Sequence, residues 1–159
     1  MEIRTGLKPG DIGEITRLHG AVYGAEYGLD RTFEASVAIR IGQLADRGWP
    51  GPREGLWMAE DDGRVVGMIT LADEGDGLAR LGHFLVRREH RGDGVGRRLL
   101  EGLLSFAREA GYERMELYTF SDLEAAGRLY RGAGFERVSA ERSRLWSRDM
   151  VWERYELRL

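Results

Sequence analysis

Residues 84–100 read FLVRREHRGDGVGRRLL, and the change of character within this stretch decides the fold. Phe84, Leu85 and Val86 close an apolar run that begins at Leu78, which reads as a strand. A polar loop follows, with Gly92, Gly94 and Gly96 at alternate positions. From Val95 the apolar residues recur at Leu99, Leu100, Leu103, Leu104 and Ala107, one stripe of a helix that ends at Gly111. Residues 114–119 read as a strand again, so residues 78–119 form a strand–helix–strand unit whose two strands pair in parallel.

The loop has the chemistry of an anion cradle. Glycine leaves no side chain between its N–H and a ligand, and the first N–H groups of a helix have no partner inside it. The helix dipole adds about 0.3–1 kcal/mol for a nearby negative charge. Arg87, Arg88, Arg91, Arg97 and Arg98 surround the loop with positive charge, although the chain carries a formal net charge of -3. A lone Gly-x-Gly is as often an ordinary turn with solvated arginines. A dinucleotide fold would place the last glycine one residue later, after a run of parallel strands, and the sequence has neither feature. Lys8 is the one lysine among 24 basic residues and lies far from the glycines, which excludes a Walker-type loop.

Upstream, residues 2–7 read as a short strand, with Asp11 as the N-cap of a helix and Glu14 as its capping-box partner. Ile12, Ile15, Leu18, His19 and Val22 share one stripe, and residues 23–30 read as irregular. A second helix is expected over residues 31–47. Strands at 56–60 and 64–72 flank the turn Asp61-Asp62-Gly63 and form an antiparallel meander with the strand at 78–86. Downstream, a helix at about 122–133 precedes two strands, 135–142 and 150–159. The expectation is therefore one α+β (mixed) domain over residues 1–159, a mostly antiparallel sheet of six to seven strands with one parallel pair and about four helices.

With 159 residues and 42% apolar residues the chain is long enough for one buried core. The acidic balance gives no reason to expect nucleic-acid binding. No cysteine is present, which removes disulfides and thiolate sites, and His19, His83 and His90 lack metal-ligand spacing, so no metal is expected. No segment reads as a signal peptide or membrane span, so a cytoplasmic protein without membrane contact is expected.

On these residues the loop resembles motif A of the GNAT superfamily of acyl-CoA-dependent N-acetyltransferases, Arg/Gln-x-x-Gly-x-Gly/Ala, at Arg91, Gly94 and Gly96. The resemblance implies the GNAT fold, acetyl-CoA as cofactor and pyrophosphate binding by the amides of Arg91, Gly92, Asp93, Gly94, Val95, Gly96 and Arg97. It also implies that Leu85 and Val86 pair their backbone with the pantetheine arm. Residues 126–135, AGRLYRGAGF, resemble the family's A-x-x-L-Y-x-x-x-G-F. Spacing alone makes Tyr130 a core tyrosine; the resemblance instead places it beside the CoA sulfur, as the acid that protonates the leaving thiolate. Many relatives have asparagine where this chain has Leu123. Residues 19–35 and the tail from Trp146 also resemble the acetyltransferase half of regulators fused to a MarR-type helix-turn-helix, and DNA binding is not carried over.

The implied reaction is direct attack of a primary amine on the acetyl thioester through a tetrahedral intermediate, with backbone N–H groups at the end of the 78–86 strand stabilising the oxyanion. Residues 78–86 contain no carboxylate, which leaves His83 and Glu26 as candidates for the base, each balanced by a structural reading. Trp49 and Trp57 are candidates for the acceptor pocket or for the core. The acceptor, a small molecule or a peptide, is open, as is the oligomeric state, homodimers being common in the family. The second reading is a non-catalytic CoA-binding regulatory module.

Overall fold

The computed structural model describes all residues, 1–159. The elements run β1 (Glu2–Thr5), α1 (Asp11–Tyr27), α2 (Arg31–Asp46), β2 (Gly55–Asp61), β3 (Arg64–Gly75), β4 (Leu78–Val86), α3 (Val95–Glu109), β5 (Arg114–Phe120), α4 (Glu124–Gly132), β6 (Glu136–Leu145) and β7 (Arg148–Arg158), with a 3-10 turn at Arg88–His90. One seven-stranded sheet has the order β1-β2-β3-β4-β5-β7-β6. Its one parallel pair is β4–β5, as the strand–helix–strand reading requires. No helix is long and apolar enough to cross a membrane.

Helices cover both faces of the sheet. On one, Leu99, Leu103 and Ala107 of α3 pack with Trp57, Ile69 and Met115. On the other, Ile15 and Leu18 of α1 and Val37 and Ile41 of α2 pack with Met58 and Met68. Neighbouring residues of β2 take opposite faces, Trp57 toward α3 and Met58 toward α1 and α2, as the two-residue period of a strand dictates. Both tryptophans weighed for the acceptor pocket are core residues. Trp57 packs edge-on to Phe106, and the Trp49 indole N–H donates to the Leu71 carbonyl at 2.9 Å.

The start and end of α1 differ from the sequence reading. Gly10, with φ 97, is the N-cap, and Asp11 is the first helical residue, 4% exposed. Its carboxylate accepts from Arg4 at 2.6 and 3.0 Å and from the Lys8 N–H at 2.9 Å, while Glu14 pairs with Arg17. Asp11 is drawn inward by the arginine it neutralises, so no capping box forms. Ile12, expected on the buried stripe, is at the surface. Residues 23–27 are helical, not irregular: α1 runs to Tyr27 and closes on Gly28 with φ 68. Gly24 costs the helix about 1 kcal/mol relative to alanine, and the ring contacts of Tyr23 with Phe33 (5.1 Å) and of Tyr27 with Phe120 (5.5 Å) outweigh it.

Candidate active site

The site is built where β4 and β5 part. Their pairing covers only Leu78–Arg114, Ala79–Met115 and Arg80–Glu116, so the edge of β4 beyond Arg80 has no strand beside it on that side. On its other side β4 is bulged. Met68 pairs with Leu85 and Thr70 with Gly82, which sets Ile69 of β3 opposite both His83 and Phe84. His83 takes φ 44, a left-handed conformation, within this bulge. The Tyr23 hydroxyl donates to the Phe84 carbonyl at 3.1 Å and ties α1 to the bulge.

Two cavities open from this point and share Tyr23, Phe84 and Leu123. The larger, about 660 Å³, lies between the end of β4, the start of α3 and the flank of α4. Leu85, Val86, Arg91, Gly92, Gly94, Val95, Gly96 and Arg97 line it, as the sequence reading expects of a cofactor site. Asp93 does not line it, and its side chain lies in solvent. Arg128 of α4 lines it as well, with no carboxylate among the lining residues. Arg128 fills a variable place in the second motif, so only its position on the solvated flank of α4 could have signalled it.

The glycines of the loop answer two constraints. Gly92 and Gly94 have φ 85 and 81. Gly96 is needed for space, since a Cβ there would sit 3.1 Å from Leu129 Cδ1 and 3.4 Å from Phe84 Cζ. The first bond of α3 runs from the Arg98 N–H to the Gly94 carbonyl, so the N–H groups of Val95, Gly96 and Arg97 have no acceptor in the helix. This arrangement fits a diphosphate: open amides at a helix N-terminus, arginines around them and no acid on the lining.

The smaller cavity, about 240 Å³, lies on the α1 and α2 side. His83 and Tyr130 line it, so the Tyr130 ring borders this cavity and not the larger one. Tyr130 is 4% exposed and packs on Phe84, Phe135 and Tyr155, which satisfies the core reading as well. Tyr23, Tyr112 and Tyr155 have their hydroxyls engaged in hydrogen bonds, whereas Tyr130 makes none. Burial raises its pKa, so the hydroxyl keeps its proton at any working pH.

The two base candidates part company. His83 faces the cavity, its Nδ1 3.1 Å from Thr70 Oγ1, but burial and neighbouring His19 push its pKa down to about 3. It stands where a base would stand without being tuned as one. Glu26 does not line the smaller cavity. Its two oxygens accept from Arg91 at 2.5 and 2.7 Å, and that bond holds its carboxyl below the usual range. Arg91 also donates to the Val86 carbonyl at 2.9 Å. The Glu26–Arg91 pair therefore fastens the loop to α1 and β4, and Glu26 stands outside the smaller cavity, where the sequence reading would have it act as a base. His19, Arg40, Trp146 and Trp152 complete the smaller cavity, and spacing gave no sign that they converge.

The model of the acetyltransferase (GNAT) family matches residues 23–135. Among curated proteins, human N-acetyltransferase 8B is 33% identical over 98 residues, covering 58% of this chain and 43% of the relative. Rat N-acetyltransferase 8 is 34% identical over 100 residues, 60% of this chain and 43% of the relative. The match thus spans less than half the length of these relatives. Among solved structures, a ribosomal-protein-alanine N-acetyltransferase from Brucella melitensis superposes with TM-score 0.79 at 20% identity over the whole of both chains. The yncA structure from Salmonella typhimurium, described with its cofactor acetyl-CoA, gives TM-score 0.74 at 19% identity over 100% of this chain and 95% of that one. These likenesses establish the GNAT fold; the narrower resemblance to MarR-fused regulators gains nothing from them.

Proposed function

Because the chain belongs to the acetyltransferase (GNAT) family, we propose that it transfers an acetyl group from acetyl-CoA to a primary amine. The observation that carries this reading is the meeting of two cavities at Tyr23, Phe84 and Leu123, one suited to a diphosphate and one to an acceptor.

Acetyl-CoA, when bound, supplies an acetyl group activated as a thioester. The N–H groups of Val95, Gly96 and Arg97, with Arg97 and Arg128, would hold its pyrophosphate. Leu85 and Val86 offer the free edge of β4 to the extended arm between phosphate and sulfur. Backbone N–H groups at the bulge would stabilise negative charge developing on the acetyl oxygen. Tyr130, bordering the smaller cavity, would give a proton to the departing sulfur and take back the proton that the attacking nitrogen sheds, so that its hydroxyl ends as it began.

The acceptor nitrogen must be neutral to attack. An alkyl amine with pKa about 10.4 is mostly an ammonium near neutral pH, and no group lining the acceptor cavity has a pKa shifted to near 7. The amine is therefore recruited in its small neutral fraction. The test is thiol release with the purified protein, acetyl-CoA and a panel of amines, with product mass as the second readout. Amine-dependent release with acetylated product is expected. A protein that binds acetyl-CoA yet releases no thiol with any amine is instead a binding module.

A further inference from the structure

We propose that the acceptor is a small amine that also carries an acidic group, its nitrogen received by His19 and its acid by Arg40. The inference rests on the acetyltransferase reading and names the substrate class of that site.

The first observation is an orphaned atom. His19 is 3% exposed and lines the smaller cavity, and its Nε2 has no hydrogen-bond partner. Its Nδ1 lies 2.8 Å from the Ile15 carbonyl, which can only accept. The proton therefore sits on Nδ1, and Nε2 presents a lone pair. Burial lowers the pKa of His19 to about 4, so the ring stays neutral and its Nε2 lone pair stays free to accept an N–H of the amine. Buried polar atoms are almost always satisfied, and an N–H of the acceptor would satisfy this one.

The second observation is the charge of the lining. Of the 17 lining residues none is Asp or Glu, and Arg40 is the only one with a full formal charge. One Nη of Arg40 rests on Glu74, at 3.1 Å, outside the lining. A guanidinium has five N–H donors, so this bond leaves others for an anion. A polyamine would meet no carboxylate for its second ammonium and a cation in the same space. The remaining wall is aromatic, with Tyr23, Phe33, Trp146 and Trp152. Its volume of about 240 Å³ suits a body of amino-acid size.

The experiment compares amines with and without their acid: phenylalanine against phenethylamine, and 5-aminovalerate against pentylamine, with spermidine as the polycation. Each is measured by kcat/KM in thiol release and by calorimetry on the protein saturated with CoA. The acid-bearing member of at least one pair is expected to be preferred by about tenfold or more in both readouts, the scale of a charge-assisted bond. Arg40→Met should reduce the preference to within about threefold, and Arg40→Lys should keep part of it. His19→Phe should weaken both members alike. Equal or better use of the acid-free amines, a best response to spermidine, or an unchanged preference in Arg40→Met overturns the inference. If no amine releases thiol, the acetyltransferase reading falls, and calorimetry on the CoA complex still decides what the cavity binds.

Discussion

Raising the pH between about 7 and 9 should raise kcat/KM for an alkyl amine by close to tenfold per unit, about 100-fold in all. The magnitude follows from which groups titrate. His83 and His19, with pKa values of about 3 and 4, are neutral throughout that window. Glu26 is ionised, with its carboxyl held low by Arg91. Tyr23 and Tyr130 are pushed upward by burial and stay protonated. Beside these groups the acceptor changes its charge, from about one neutral molecule in 2,500 at pH 7 toward half at pH 10.4. The assay is thiol release at acceptor concentrations below KM and saturating acetyl-CoA, with enzyme stability checked at each pH. An acceptor of lower pKa should shift the whole profile downward by the same number of units. A profile that levels off with a midpoint near 6–7, whatever the acceptor, would show a protein base and refute the reasoning.

Tyr130→Phe keeps the ring that packs on Phe84, Phe135 and Tyr155 and removes the proton donor; kcat should fall by about 10²–10⁴ with acetyl-CoA affinity unchanged by calorimetry. Glu26→Gln releases Arg91 from a two-oxygen bond, so the KM for acetyl-CoA should rise several-fold while kcat stays within about threefold; a collapse of kcat alone would return Glu26 to the role of base. Acid should destabilise the fold before its carboxylates protonate. The buried histidines bind a proton more readily unfolded than folded, so stability is full above pH about 6.5 and each costs about 1.4 kcal/mol per unit as pH falls toward its folded value of about 4 or 3. Urea unfolding at several pH values reads this, and His19→Phe should flatten the slope.

The framework was legible because hydrophobic period and turn chemistry agree. The one-sided stripe from Val95 to Ala107 placed α3, and its flanking strands could pair only in parallel. The loop was legible because its three glycines fall within five residues of sequence, although their separate duties, φ at Gly92 and Gly94 and clearance at Gly96, needed coordinates. The end of α1 was misread because Gly24 and three nearby tyrosine and glutamate side chains look like a loop, while the contacts that hold them helical come from Phe33 and Phe120. The smaller cavity was nearly invisible in the sequence. His19, Arg40, Trp146 and Trp152 come from α1, α2 and the C-terminal hairpin, and no local pattern brings them together. Glu26 and His83 were read from residue type and place in the chain, whereas their surroundings are tertiary: Glu26 pairs with Arg91, and burial beside His19 lowers the pKa of His83.

On the proposed reading, the loop at the start of α3 binds acetyl-CoA through its pyrophosphate. Calorimetric titration of the wild-type protein and of Gly96→Val, with folding of both confirmed by thermal melting, tests it most directly. The added side chain begins with a Cβ 3.1 Å from Leu129, on the floor of the cradle. Saturable binding of acetyl-CoA by the wild type, little response to ATP and loss of binding in a folded Gly96→Val are the predicted results. No binding by the wild type, or equal affinity in the variant, would contradict the account.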